Sequence, residues 1–133
     1  MARKRRILIV DDEWLITTAI CRGLSPEEFD CRLTGDETTA LSEFSQWHPD
    51  CVLLDVRLES GDHGPRLARE MRARETRNAG RRHVPIVAMT AFLPEMFDAE
   101  PFDGYIKKPF TNAKVERAVR EAMKGGDSDD ARE

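Results

Sequence analysis

The sequence predicts an α/β domain: a five-stranded, doubly wound parallel sheet with helices on both faces. Three observations predict it. Short apolar runs alternate along the chain with stretches of helical spacing. The runs are apolar at consecutive positions, which suits strands buried on both faces. Five such runs linked by helices, each crossing over in the right-handed sense, give three layers.

Each element has its own signal. Ile7 to Val10 is the first strand. Helical spacing follows from Trp14 to Leu24, with Ile16, Ile20 and Leu24 aligned, until Ser25-Pro26 breaks it. Phe29 to Leu33 alternates weakly and reads as the second strand. Gly35-Asp36 opens a helix with Ala40, Leu41, Phe44 and Trp47 on one face, and His48-Pro49-Asp50 ends it. Cys51 to Leu54 is the third strand, closed by Asp55, with a glycine-containing loop from Val56 to Gly64. Leu67, Ala68 and Met71 mark the next helix. Pro85 introduces the strand Ile86 to Met89, closed by Thr90. The fifth strand is Gly104 to Lys107, followed by Lys108-Pro109. Thr111 reads as the N-cap of a last helix whose stripe is Val115, Ala118, Val119 and Ala122. Residues 1–124 form the single domain, and residues 125–133, glycine-rich and then acidic, read as a disordered tail.

Composition narrows the function. The 133 residues fit one compact domain. A net charge of -4 gives no general attraction to nucleic acid. Arg66, Arg69, Arg72, Arg74, Arg77, Arg81 and Arg82 read as a solvated helix face and loop. Nothing approaches the roughly 20 apolar residues of a membrane span. The apolar run before Asp11 is too short for a secretory signal, so a cytoplasmic protein with no membrane partner is expected. Cys21, Cys31 and Cys51 lack close metal-ligand spacing and read as buried thiols of a reducing compartment. His48, His63 and His83 fall between different elements, so no histidine metal site is expected. Trp14 and Trp47 read as packed or partly exposed, and Trp14 stands near enough to the acids to report on them.

In an open parallel sheet, ligands sit beyond the carboxyl ends of the strands. There the sequence places Asp11-Asp12, Asp55, Thr90 and Lys107-Lys108. Three close carboxylates need a counter-charge, and Mg²⁺ is a hard cation that prefers oxygen ligands. A lysine and a hydroxyl beside them would hold a phosphoryl group. A carboxylate can itself be the nucleophile, forming an aspartyl phosphate. Glu13 reads as the solvated first turn of a helix, where acids suit the dipole.

ILIVDDE, VLLDVRL, PIVAMTA and GYIKKPF, in this order, resemble the receiver domain of bacterial two-component response regulators, from about Arg5 to Lys124. The resemblance implies a flavodoxin-like receiver fold and a switch in a phosphorelay. Asp55 would be the phosphoacceptor. Asp11 and Asp12 would serve Mg²⁺ with Asp55 and the backbone carbonyl of Arg57, Asp12 directly and Asp11 through water. Thr90 would bond a phosphoryl oxygen, and Lys108, rather than its rival Lys107, would pair with the phosphoryl group. Tyr105 would be the switch aromatic, and the Lys108–Pro109 bond would be cis. The implied partners are a sensor histidine kinase or histidine phosphotransfer protein and a downstream protein target. A homodimer is open to it, but no nucleic acid for this domain alone. Limited autophosphorylation and autodephosphorylation would go with the switch, not metabolic turnover.

The sequence also departs from that family. The loop after Asp55 carries Glu59 where members usually have proline, and it reads one residue longer. Phe92 and Arg57 stand two residues after Thr90 and Asp55, positions that tune dephosphorylation. Between Thr90 and Tyr105, Pro94 and Pro101 leave room for only about two helical turns, so a shortened or irregular fourth helix is expected. A phosphorylation-independent binding module built on that remodelled face is the alternative. A small Mg²⁺-dependent aspartyl-phosphate phosphatase ranks below it, because Arg57 stands where a second acid would be needed.

Overall fold

The computed structural model describes residues 3–57, 63–77, 83–91 and 93–131, with backbone alone for 94 and 125–131. Its elements are β1 (Arg5–Val10), α1 (Trp14–Gly23), β2 (Phe29–Thr34), α2 (Glu37–Gln46), β3 (Cys51–Asp55), α3 (Gly64–Arg77), β4 (Ile86–Thr90), β5 (Gly104–Lys107) and α4 (Asn112–Ala131). All strand pairs are parallel, in the order β2-β1-β3-β4-β5.

Side chains alternate across a strand, so each strand feeds two cores. Ile7, Ile9, Leu53 and Met89 face α1 and α4, where Ile20, Val115 and Val119 meet them. Leu8, Val10, Val52 and Leu54 face α2 and α3, meeting Phe44, Leu67 and Met71. β3 and β4 are buried along their whole length, whereas the edge strands β2 and β5 are not. The apolar runs of the sequence are therefore the strands covered on both sides.

Helix ends follow local chemistry. Asp36 caps α2 by accepting from the Thr39 N–H at 2.7 Å. His48, just past the end of that helix, takes a positive φ of 59°. Thr111 Oγ1 accepts from the Lys114 N–H at 3.2 Å, the N-cap expected for α4. That helix continues beyond Lys124 to Ala131, across residues expected to form a disordered tail. Once packing has nucleated a helix, each further residue adds a hydrogen bond at little cost, so the ladder can outrun its buried stripe.

The irregular fourth-helix segment expected from Pro94 and Pro101 is present in an extreme form. Between β4 and β5 the described residues hold one 3₁₀ turn, Pro94–Met96, and no α-helix. Polar ties to α3 hold this segment where helix packing would have done so. Arg69 donates to Asp98 at 2.7 Å, and Arg72 donates to the Pro101 carbonyl at 3.1 Å and pairs with Asp103. The cysteines, by contrast, need correction. Cys21 and Cys31 form a disulfide between the last turn of α1 and the middle of β2, and only Cys51 is a free, buried thiol. Cys31 lies opposite Ile7 in the β1–β2 register, on the face that α1 covers. The crossover thus sets Cys21 above it, a pairing that spacing of ten residues alone does not announce. Burial pushes the Cys51 thiol up to about 12. Among the described residues no helix is long and apolar enough to cross a membrane.

Candidate functional site

The strand order reverses between β1 and β3, and crevices form outside the carboxyl ends at such a switch point. Asp11 and Asp12 leave β1 there, Asp55 ends β3, Thr90 ends β4 and Lys108 follows β5. Asp11, Asp55 and Thr90 are buried, while Asp12 is exposed. One oxygen from each of Asp11, Asp12 and Asp55 lies within 4.8 Å of the others. A cavity of about 320 Å³ opens over them, lined by Asp12, Glu13, Asp55, Arg57, Thr90 and Lys108.

Backbone groups hold the acids in place. The Asp11 N–H donates to the Thr34 carbonyl at 3.0 Å, which ties the end of β1 to the end of β2. Asp11 Oδ1 accepts from the Glu13 N–H at 2.9 Å, and Asp55 Oδ1 accepts from the Arg57 N–H at 3.1 Å. Asp11 Oδ2 is buried without a hydrogen-bond partner. Gly64 opens α3 against this strand end. A Cβ there would stand 2.5 Å from the Asp55 carbonyl oxygen, so the close approach requires glycine.

Lys108 balances the acids. Its Nζ stands 3.3 Å from Asp55 Oδ2, 3.4 Å from Glu13 Oε1 and 3.5 Å from Asp11 Oδ2. The Lys108 N–H donates to the Thr90 carbonyl at 2.7 Å, and the Lys108–Pro109 bond is cis. Lys107 is exposed on β5, and the acids meet Lys108 instead. Burial, and next the charge of Asp11, push the Asp55 carboxyl up to about 7, against the pull of Lys108 and the Arg57 N–H. Partial burial draws Lys108 down, but the carboxylates of Asp55, Asp11 and Glu13 outweigh it and hold its ammonium above the ordinary range.

Six of the sequence-predicted residues thus meet at one place: Asp11, Asp12, Asp55, Arg57, Thr90 and Lys108. Tyr105 does not join them. It is 48% exposed on β5, and because its neighbour Ile106 is buried toward α1 and α4, it faces the opposite side. Glu59 and Phe92 lie outside the described residues. Glu13 joins the site although in the sequence it reads as a solvated helix start, and no local pattern singles out Gly64. The α3 arginines spend their charge on carboxylates of this chain: Arg66 on Glu37, Arg69 on Asp98 and Glu100, and Arg77 on Glu70.

The sequence model of the response regulator receiver domain matches residues 7–120. The chain belongs to this family. As a receiver of two-component systems it is a signalling switch. Similar proteins include the regulatory protein AtoC of Escherichia coli, 33% identical over 128 residues, covering 92% of this receiver and 26% of that protein. The sensory transduction protein RegX3 of Mycolicibacterium smegmatis is 31% identical, covering 94% and 54%. The DNA-binding response regulator MtrA of Mycobacterium tuberculosis is 34% identical over 132 residues, covering 96% and 54%. The receiver therefore spans about half or less of the length of these relatives. Among solved structures, a CheY-like receiver domain protein from Methanospirillum hungatei superposes with a TM-score of 0.78 at 19% identity, covering 96% of this chain and 99% of that one. The receiver domain of a putative Luxo repressor from Vibrio parahaemolyticus gives 0.81 at 13% identity, covering 98% of each. These likenesses show the receiver fold.

Proposed function

We propose that Asp55 accepts a phosphoryl group from a sensor histidine kinase or a histidine phosphotransfer protein, with Mg²⁺ held by Asp11, Asp12, Asp55 and the backbone carbonyl of Arg57. The observation that carries this reading is the meeting of three carboxylates and one ammonium at the mouth of a cavity on the sheet's switch point. The donor set fits the metal. All side-chain donors are hard carboxylate oxygens, and Asp11 Oδ2 is buried with no hydrogen bond to satisfy it.

Bound Mg²⁺ supplies the positive charge that lets an anionic phosphoryl group approach anionic oxygens. The residues of the chain do the rest. The Arg57 N–H fixes Oδ1 of Asp55 and so orients the carboxylate. Lys108 stands close enough to steady the charge on the transferring group. The Thr90 hydroxyl, at the end of β4 beside the cavity, donates to a phosphoryl oxygen. The reaction is the domain's own phosphorylation and dephosphorylation. The acquired charge shifts Thr90 and Tyr105 and with them the surface around β5, a population shift between two states. That surface engages a downstream protein or a second copy of the chain, and this domain alone takes no nucleic acid. The switch works in the cytoplasm.

The test is intact mass after incubation with Mg²⁺ and acetyl phosphate. Wild type gains one phosphoryl group and Asp55→Asn gains none. A wild type that binds Mg²⁺ yet stays unmodified overturns the reading.

A further inference from the structure

Asp36 and Glu13 occupy the same position at the starts of α2 and α1, yet they behave differently. Asp36 caps its helix through its side chain. Glu13 makes no side-chain cap bond. Its carboxylate instead meets the Lys108 ammonium at 3.4 Å, on the wall of the cavity over Asp55. The ammonium is thereby shared between Glu13 and Asp55 at nearly equal distances. Lys108 is mostly covered, with 19% of its side chain exposed, whereas 57% of Glu13 is in solvent. Glu13 is thus the outer of the anions around Lys108, where an incoming group arrives first.

We propose that Glu13 is a positioning residue that holds Lys108 at the mouth of the unphosphorylated site and is displaced from it by the phosphoryl group. This rests on Asp55 as the acceptor. A phosphoryl group on Asp55 brings oxygens that need the same ammonium, so the Glu13 contact belongs to the resting state alone. An interaction present before transfer and lost on the way to it slows the transfer. With acetyl phosphate, an Asp55 oxygen forms the new bond to phosphorus. The bond from phosphorus to the bridging oxygen breaks, acetate leaves with the electron pair, and no proton moves.

Removing the Glu13 charge therefore speeds phosphorylation. The expected gain is about two- to five-fold, the size of one partly exposed ion pair. The experiment follows phosphorylation by acetyl phosphate through intact mass, at saturating Mg²⁺, for wild type, Glu13→Gln and Glu13→Asp. The same change is made in a Lys108→Ala background, and the Mg²⁺ affinity of each variant is measured by Trp14 fluorescence. The expected result is a faster Glu13→Gln, a Glu13→Asp close to wild type, unchanged Mg²⁺ affinity and no gain once Lys108 is gone. Equal or slower labelling of Glu13→Gln overturns the inference. So does weaker Mg²⁺ binding, which would put Glu13 among the metal-site residues. A gain that persists without Lys108 also overturns it, since the effect would then be bulk charge. A wild type that takes no adduct removes the acceptor reading and this one with it, whereas a labelled wild type with an indifferent Glu13→Gln removes this one alone.

Discussion

The β2-β1-β3 side of the sheet and its β4-β5 side are built to different standards. On the first, α1 covers one face and α2 and α3 the other, a disulfide fastens α1 to β2, and the acids of β1 and β3 are held by backbone hydrogen bonds. On the second, α4 covers one face, while on the other a single 3₁₀ turn replaces a helix and Leu93, Met96 and Tyr105 stand exposed. The proposed acceptor Asp55 lies on the side covered on both faces, and the residues proposed to respond to it lie on the other. A fixed acceptor beside a responder that a helix covers on one face alone is what a switch requires, because local stability is lowest where elements must move.

Substitutions should fall into the same two classes. Phe44→Ala, in the core under α2, should cost about 3–5 kcal/mol in urea unfolding. Losing the Cys21–Cys31 bond should cost about 2–3 kcal/mol, read as the shift in urea midpoint on adding a dithiol, with a Cys21→Ser, Cys31→Ser variant indifferent to it. Gly64→Ala should cost about 1–3 kcal/mol, since the new Cβ meets backbone that cannot move aside, and it should slow phosphorylation of Asp55. The next effect is electrostatic. Between about pH 4 and about pH 7 the native metal-free protein keeps a proton on Asp55 that the unfolded chain has lost. Stability should therefore fall as pH rises through that interval and level off above it, and Asp55→Asn should flatten the profile. Over the same interval Mg²⁺ affinity should rise, because the metal displaces the proton. The smallest effect belongs to Met96→Ala, expected to stay within about 0.5 kcal/mol. A cost like that of Phe44→Ala would show that the 3₁₀ turn is packed against the sheet after all.

Strand ends made most of the site legible in the sequence. An apolar run that stops at Asp11, Asp55 or Thr90 announces both the strand and what it delivers, and the choice of Lys108 over Lys107 came from the family's pattern. What stayed hidden depends on contacts between elements distant in sequence. Glu13 looks like a helix start until β5 brings Lys108 to it, 95 residues away. Cys21 and Cys31 look like separate thiols until the crossover of α1 sets one above the other. Pro94 and Pro101 warned of a short helix, yet its reduction to one 3₁₀ turn depends on polar ties such as Arg72 to the Pro101 carbonyl, which no local pattern encodes.

Cys51 gives the two-sided architecture a clock. With Cys21 and Cys31 bonded, it is the one free thiol of the three cysteines, fully buried at the start of the central strand β3 and almost wholly protonated at neutral pH. A thiol reagent reaches it only when β3 opens. Its labelling rate therefore counts openings of the acceptor side and stays blind to fluctuations around β5, so slow labelling beside a restless Tyr105 would let the two sides be timed separately in one molecule.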